Sequence, residues 1–262
     1  MEEQKMISSI KKQRRDILDA AVAAKQAHLS SAFSVIEIMN VLFNEIMVFD
    51  SNNPESEDND RFILSKGHAA LALYSLLSSL GILTHEQLLS YCQYNSALGE
   101  HPDRNKIVSV DISTGSLGHG LPCGVGMAAG FKAQKRNNKV YVIIGDGEAN
   151  EGTIWESALI ADRLQLKNLI CIVDNNHSES YSPYLLEKFK AFGWESVELK
   201  NGNDLNEIRK VFATKKDNDK PLAIIANTIK GYGVSLMEKD PEGWHSRVPN
   251  REEYEIMMEE LT

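Results

Sequence analysis

Two stretches decide the fold: Val140-Tyr-Val-Ile-Ile-Gly-Asp-Gly-Glu148 and Leu169-Ile-Cys-Ile-Val-Asp-Asn-Asn176. Each is a short run of aliphatic and β-branched residues closed by a polar, turn-forming cluster. Continuous apolar runs of about 4–8 residues fit strands buried on both faces of a parallel sheet. The segment between them, 151–165, has the length of a crossover helix, so the whole reads as a right-handed β-α-β unit. The same alternation extends outward. Ile107–Val110, Val197–Leu199 and Leu222–Ala226 read as further strands, and 121–136, 184–192 and 204–214 as further helices. The expected fold is α/β: a doubly wound, mostly parallel sheet with helices on both faces. The first 47 residues read as a helical N-terminal segment, with Ile7, Ile10, Ile17, Leu18 and Val22 near helical period. Asp50–Asp60 is a polar surface loop by composition. Residues 1–262 are read as a single domain.

An open parallel sheet binds its ligand outside the carboxyl ends of its strands. There the β-α-β unit would bring Asp146 and Asn176 to face one small volume. A carboxylate and an amide oxygen are hard donors, which suit Mg²⁺, with Ca²⁺ as a substitute, rather than zinc. A helix starting near Glu148–Gly152 would direct its N-terminal dipole toward phosphate oxygens. The residues thus point to a metal-bridged diphosphate site. A second glycine pattern, Gly124-Val-Gly126-Met-Ala-Ala129, matches GxGxxA but follows a loop. Its glycines fall inside the next helix, where close packing explains them better than a dinucleotide does.

The 28 Lys+Arg against 37 Asp+Glu give a net charge of −9, against a role centred on nucleic acid. No apolar stretch approaches the roughly 20 residues needed to cross a bilayer. The charged start MEEQKMISSIKKQRR has no secretory h-region, so a cytoplasmic location is expected. Cys92, Cys123 and Cys171 form no metal or disulfide spacing.

The segment GDGEANEGTIWESALIADRLQLKNLICIVDNN, residues 145–176, resembles the thiamine-diphosphate motif, GDG followed by about 27 residues and NN. Three further blocks resemble the transketolase family in order and spacing: Arg61-Phe-Ile-Leu-Ser-Lys-Gly-His68-Ala, Gly115-Ser-Leu-Gly-His-Gly-Leu121, and Thr228-Ile-Lys-Gly-Tyr-Gly-Val234 with Trp244-His245. The resemblance runs from about residue 8 to residue 249. It implies thiamine diphosphate and Mg²⁺ as cofactors, with Asp146, Asn176 and the Ser178 carbonyl as metal ligands. It implies His68, Gly115, Leu117, Gly147, Glu151 and His245 around the cofactor, and His28, His68, His101 and His245 as catalytic histidines. His119 fills a slot where Gln or His is usual, which implies a part in proton relay.

Two departures stand out: His28-Leu-Ser-Ser replaces the family's His followed by Pro-Gly or Gly-rich text, and the loop after Asn176 is shorter. In this family a glutamate and aromatic residues that meet the aminopyrimidine belong to a following domain. The resemblance therefore implies the N-terminal subunit of a split transketolase. It would work with a pyrimidine-domain chain, as an α2β2 heterotetramer acting on a sugar or sugar phosphate. The alternatives are half of a 2-oxoacid dehydrogenase or decarboxylase, and a non-catalytic cofactor-binding assembly module.

Overall fold

The computed structural model describes residues 3–177, 183–214 and 219–262. The chain opens with α1 (Glu3–Ala24), α2 (Leu29–Phe33) and α3 (Ile36–Val41), the last running into a π turn, Leu42–Ile46. Strand β1 (Arg61–Leu64) passes through a 3₁₀ turn, Gly67–Ala69, into α4 (Ala70–Ser79), followed by α5 (His85–Leu89) and α6 (Gly120–Ala133). Then β2 (Val140–Gly145), α7 (Gly152–Arg163), β3 (Leu169–Asn175), α8 (Leu185–Ala191), β4 (Glu195–Leu199), α9 (Leu205–Ala213) and β5 (Leu222–Asn227) alternate. Helices α10 (Ser235–Lys239) and α11 (Arg251–Glu260) follow.

The five described strands form one sheet in the order β1-β2-β3-β5-β4, with every pair parallel. Alternate residues of each strand face opposite sides. On one side Tyr141, Ile143, Ile170, Ile172 and Ile224 pack against the N-terminal helices and α9. On the other, Val140, Val142, Ile144, Cys171, Val173 and Ala223 pack with residues of α6, α7 and α8. Burial on both faces explains why these strands read as unbroken apolar runs. A side chain at Gly124 would place its Cβ 2.6 Å from the Val142 Cγ2. The GxGxxA pattern therefore serves close packing of α6 on the sheet.

One expectation is corrected. Ile107–Val110 is not a strand; it is a turn in which Ser109 adopts φ +73° while Ile107 and Val110 anchor the loop in the core. The edge strand is instead Arg61–Leu64, which pairs Arg61 with Val140 and Leu64 with Ile143. The Asp50–Asp60 loop is tied in at its end, where Asp60 Oδ2 accepts from the Val48 N–H at 3.0 Å. Among the described residues no helix is long and apolar enough to cross a membrane.

Candidate active site

The register pairs Gly145 on β2 with Asp174 on β3, so both motif turns leave the same carboxyl edge of the sheet. The Asp146 N–H donates to the Asp174 carbonyl at 3.1 Å, which locks the two turns together. Asp146 is 2% exposed, and its Oδ1 accepts from the Gly147 N–H at 2.8 Å. Asn176 is also buried, and its Nδ2 donates to Asp174 Oδ2 at 2.9 Å. That bond fixes the orientation of the amide at the mouth of the site. Ser178 lies outside the described residues.

Asp174 itself is wholly buried and serves as a hub. It pairs with the Lys66 ammonium and accepts from the Ser34 hydroxyl at 2.7 Å and from the Thr228 hydroxyl. Residues from α2's flank, the β1 turn and the end of β5 thereby converge beneath Asn176. Glu148 plays the matching part on the other side. Its carboxylate accepts from the Ser65 hydroxyl, the Gly118 N–H at 2.8 Å and the Gly145 N–H at 3.1 Å. Gly118 in turn accepts at its carbonyl from the Thr153 hydroxyl at 2.8 Å. Leu117 is exposed on the same turn, and Glu151, at the start of α7, is exposed next to Gly118.

Three histidines meet above this edge. The His28 ring lies 5.4 Å from His68 and 5.2 Å from His245, edge to face in both cases, and His68 lies 5.8 Å from His245. His28 enters at the start of α2, His68 from the 3₁₀ turn after β1, and His245 from the loop after α10. His101 stands behind them, against Gly115. That glycine has φ +136°, and a Cβ there would come within 2.9 Å of the His101 ring. Only glycine suits both the backbone and the contact. Burial, helped by the Lys66 charge, pushes His68 down to about 2. Burial lowers His28 and His245 as well, although Glu100 pulls His28 back up. The cluster is therefore neutral near pH 7, and its rings can accept as well as donate. His119 lies apart from the cluster's ring contacts; its Nδ1 is 3.0 Å from the Leu117 carbonyl.

Lys230 was missed by the sequence reading, although it sits within the Thr228–Val234 block. It is 5% exposed, and among the described residues its ammonium makes no hydrogen bond or ion pair. Burial depresses its pKa, as does the nearby Lys66, while Asp146 and Asp174 act the other way. The same Lys230 charge is felt by His28 and His245. It therefore lies within electrostatic reach of Asp146, His28 and His245. Its only mark in the sequence is a lysine followed by glycine just after a strand.

The family model described as the transketolase, thiamine diphosphate binding domain matches residues 3–255. The chain belongs to the transketolase N-terminal family. It is 34% identical to one subunit of the apulose-4-phosphate transketolase of Phocaeicola vulgatus, covering 96% of this chain and 92% of that protein. It is 37% identical to human transketolase, covering 93% of this chain but 40% of that protein. The crystal structure of transketolase from Campylobacter jejuni superposes with TM-score 0.90 at 28% identity, covering all of this chain and 43% of that one. This transketolase-type domain thus spans about two-fifths of the single-chain transketolases and nearly all of the apulose-4-phosphate relative.

Proposed function

We propose that this chain is the diphosphate-holding N-terminal subunit of a two-chain, transketolase-type transferase. It would move a two-carbon ketol unit from a ketose or ketose phosphate to an aldehyde. The observation that carries the reading is the meeting of three neutral histidines above the Asp146–Asn176 edge, with the largely buried, unpaired Lys230 close enough for its charge to act on His28 and His245. A cation on a largely buried side chain without a counter-ion is disfavoured unless a ligand supplies one. An anionic diphosphate with Mg²⁺ would be such a ligand; Asp146, Asn176 and the Ser178 carbonyl would hold the metal, and hard oxygen donors fit it. Ca²⁺ would substitute. Gly115, Leu117, Gly147, Glu151, His68 and His245 would line the rest of the cofactor's berth.

When bound, thiamine diphosphate supplies the electron sink that lets a ketose carbon–carbon bond break. The chain's own residues do the remainder. Asp146 and Asn176 would orient the metal, and Lys230 would balance the diphosphate charge. His28, His68, His101 and His245 would accept and return protons at sugar hydroxyl and carbonyl oxygens, a part that suits the rings of His28, His68 and His245, which burial keeps neutral near pH 7. A pyrimidine-domain partner is supported by the Phocaeicola vulgatus relative, matched over nearly its full length and named as one subunit of a transketolase. An α2β2 assembly would pair two of each chain. The free thiols Cys92, Cys123 and Cys171 suit a reducing compartment such as the cytoplasm.

The test is reconstitution with the pyrimidine-domain chain, Mg²⁺ and thiamine diphosphate, followed by ketol transfer from a ketose phosphate to an aldehyde. Turnover only by the pair is expected. Turnover by this chain alone would sink the two-chain reading. Pyruvate consumption in place of ketol transfer would favour the 2-oxoacid alternative. Binding of cofactor without any turnover would favour an assembly module.

A further inference from the structure

His28 is the member of the cluster whose surroundings are least symmetrical. Its Nδ1 is buried and makes no hydrogen bond among the described residues, yet the Glu100 Oε1 stands 3.4 Å away. The two atoms are within Coulombic range without hydrogen-bond alignment. Every other ionisable group that acts on this ring is an imidazole or a cation: His68 and His245 in ring contact, and His101 and Lys230 at longer range. Glu100 is thus the one carboxylate acting on His28 among the described residues. It belongs to the Gly99-Glu-His-Pro-Asp103 segment, so it is carried into the site beside His101.

A neutral imidazole has one protonated and one bare nitrogen. A bare Nδ1 would aim its lone pair at a carboxylate, which is repulsive; an Nδ1–H would aim a donor at it, which is attractive. Half-buried surroundings strengthen that preference, because water screens it less. We propose that Glu100 is a positioning residue that holds the proton on His28 Nδ1, so that Nε2 is the ring's acceptor for a substrate hydroxyl. The role matches the carboxylate that sets a histidine tautomer in catalytic triads, reached here from a loop. Glu100 also limits the depression of the His28 pKa by burial, keeping the ring closer to working pH.

This assignment rests on the transferase reading for its substrate, but not for its geometry, so two measurements are needed. The first is ¹⁵N NMR of the labelled full chain without cofactor, comparing wild type with Glu100→Leu and Glu100→Gln. We expect His28 in the Nδ1–H form in wild type and in the Gln variant, whose amide oxygen still accepts. In the Leu variant the Nε2–H form should gain. If wild type already carries the proton on Nε2, or if Leu leaves the tautomer unchanged, the proposal is overturned. The second is kinetics of the reconstituted pair. Glu100→Leu should lower kcat/KM about tenfold and shift the acid limb of its pH profile downward, with Gln restoring most of the rate. Equal loss in both variants would make Glu100 a charge contributor and overturn the tautomer role. Absence of ketol transfer in wild type would refute the function while leaving the NMR result to decide Glu100.

Discussion

Lys230 separates binding from stability at the scale of a single side chain. Its side chain is largely buried, feels the Lys66 charge, and gains no hydrogen bond from the described residues. In the empty chain that charge works against folding, since its pKa is depressed relative to the unfolded state and the charged form is the disfavoured one. Lys230→Met should therefore raise the melting temperature of the chain without ligand while weakening diphosphate binding by about 10- to 100-fold, the worth of a charged hydrogen bond. Calorimetric titration with thiamine diphosphate and Mg²⁺, beside a thermal melt, checks both signs; a variant that binds as wild type does would remove Lys230 from the site. The contrast with Asp146 shows what was legible at this scale. Asp146 and Asn176 announced themselves by chemistry and spacing after strands. Lys230 did not, because burial and the lack of a partner are properties of the folded surroundings, and a lysine in a glycine-rich stretch reads as solvated. Asp174 was hidden for a similar reason: three of its four side-chain partners come from residues 34, 66 and 228.

At the scale of elements, four of the five strands and the helices between them were written in the apolar runs, because burial on both faces leaves no polar alternation to confuse. The edge was not. Arg61-Phe-Ile-Leu64 and Ile107-Val-Ser-Val110 are both four-residue runs, too short for periodicity to separate strand from turn. What distinguishes them is contact: β1 has β2 to pair with, whereas Ser109 turns the chain back with φ +73°. Glu148 joins these elements, tying the turn after β1, the loop before α6 and the end of β2 through Ser65, Gly118 and Gly145. Glu148→Ala would leave two buried donors and one part-buried donor without their acceptor. At about 1 kcal/mol or more each, the loss should reach about 3 kcal/mol in urea unfolding. A cost below about 1 kcal/mol would mean that the three loops are held by other contacts.

The histidine cluster takes residues from position 28, position 68 and position 245, and so it exists only when both ends of the chain have closed over the sheet. Its protonation is therefore linked to the folding of the whole molecule. His68 titrates near 2 in the folded chain and near its ordinary value of 6.5 when unfolded. Between those values the unfolded state binds more protons, so stability rises with pH across that window and is lost as pH falls below 6.5. His28 and His245 shift in the same direction and add to the slope. Going from pH 7 to pH 5, His68 alone should remove at most about 2 kcal/mol, at about 1.4 kcal/mol per pH unit below 6.5. His68→Asn, which keeps a polar side chain but cannot titrate, should unfold in urea with a visibly flatter dependence over the same interval. Parallel pH dependences in the two proteins would mean that His68 is solvated in the folded chain and that the cluster does not close as described. A flatter dependence in the variant would tie the neutral state that acid–base chemistry needs to the burial that brings residues 28, 68 and 245 together.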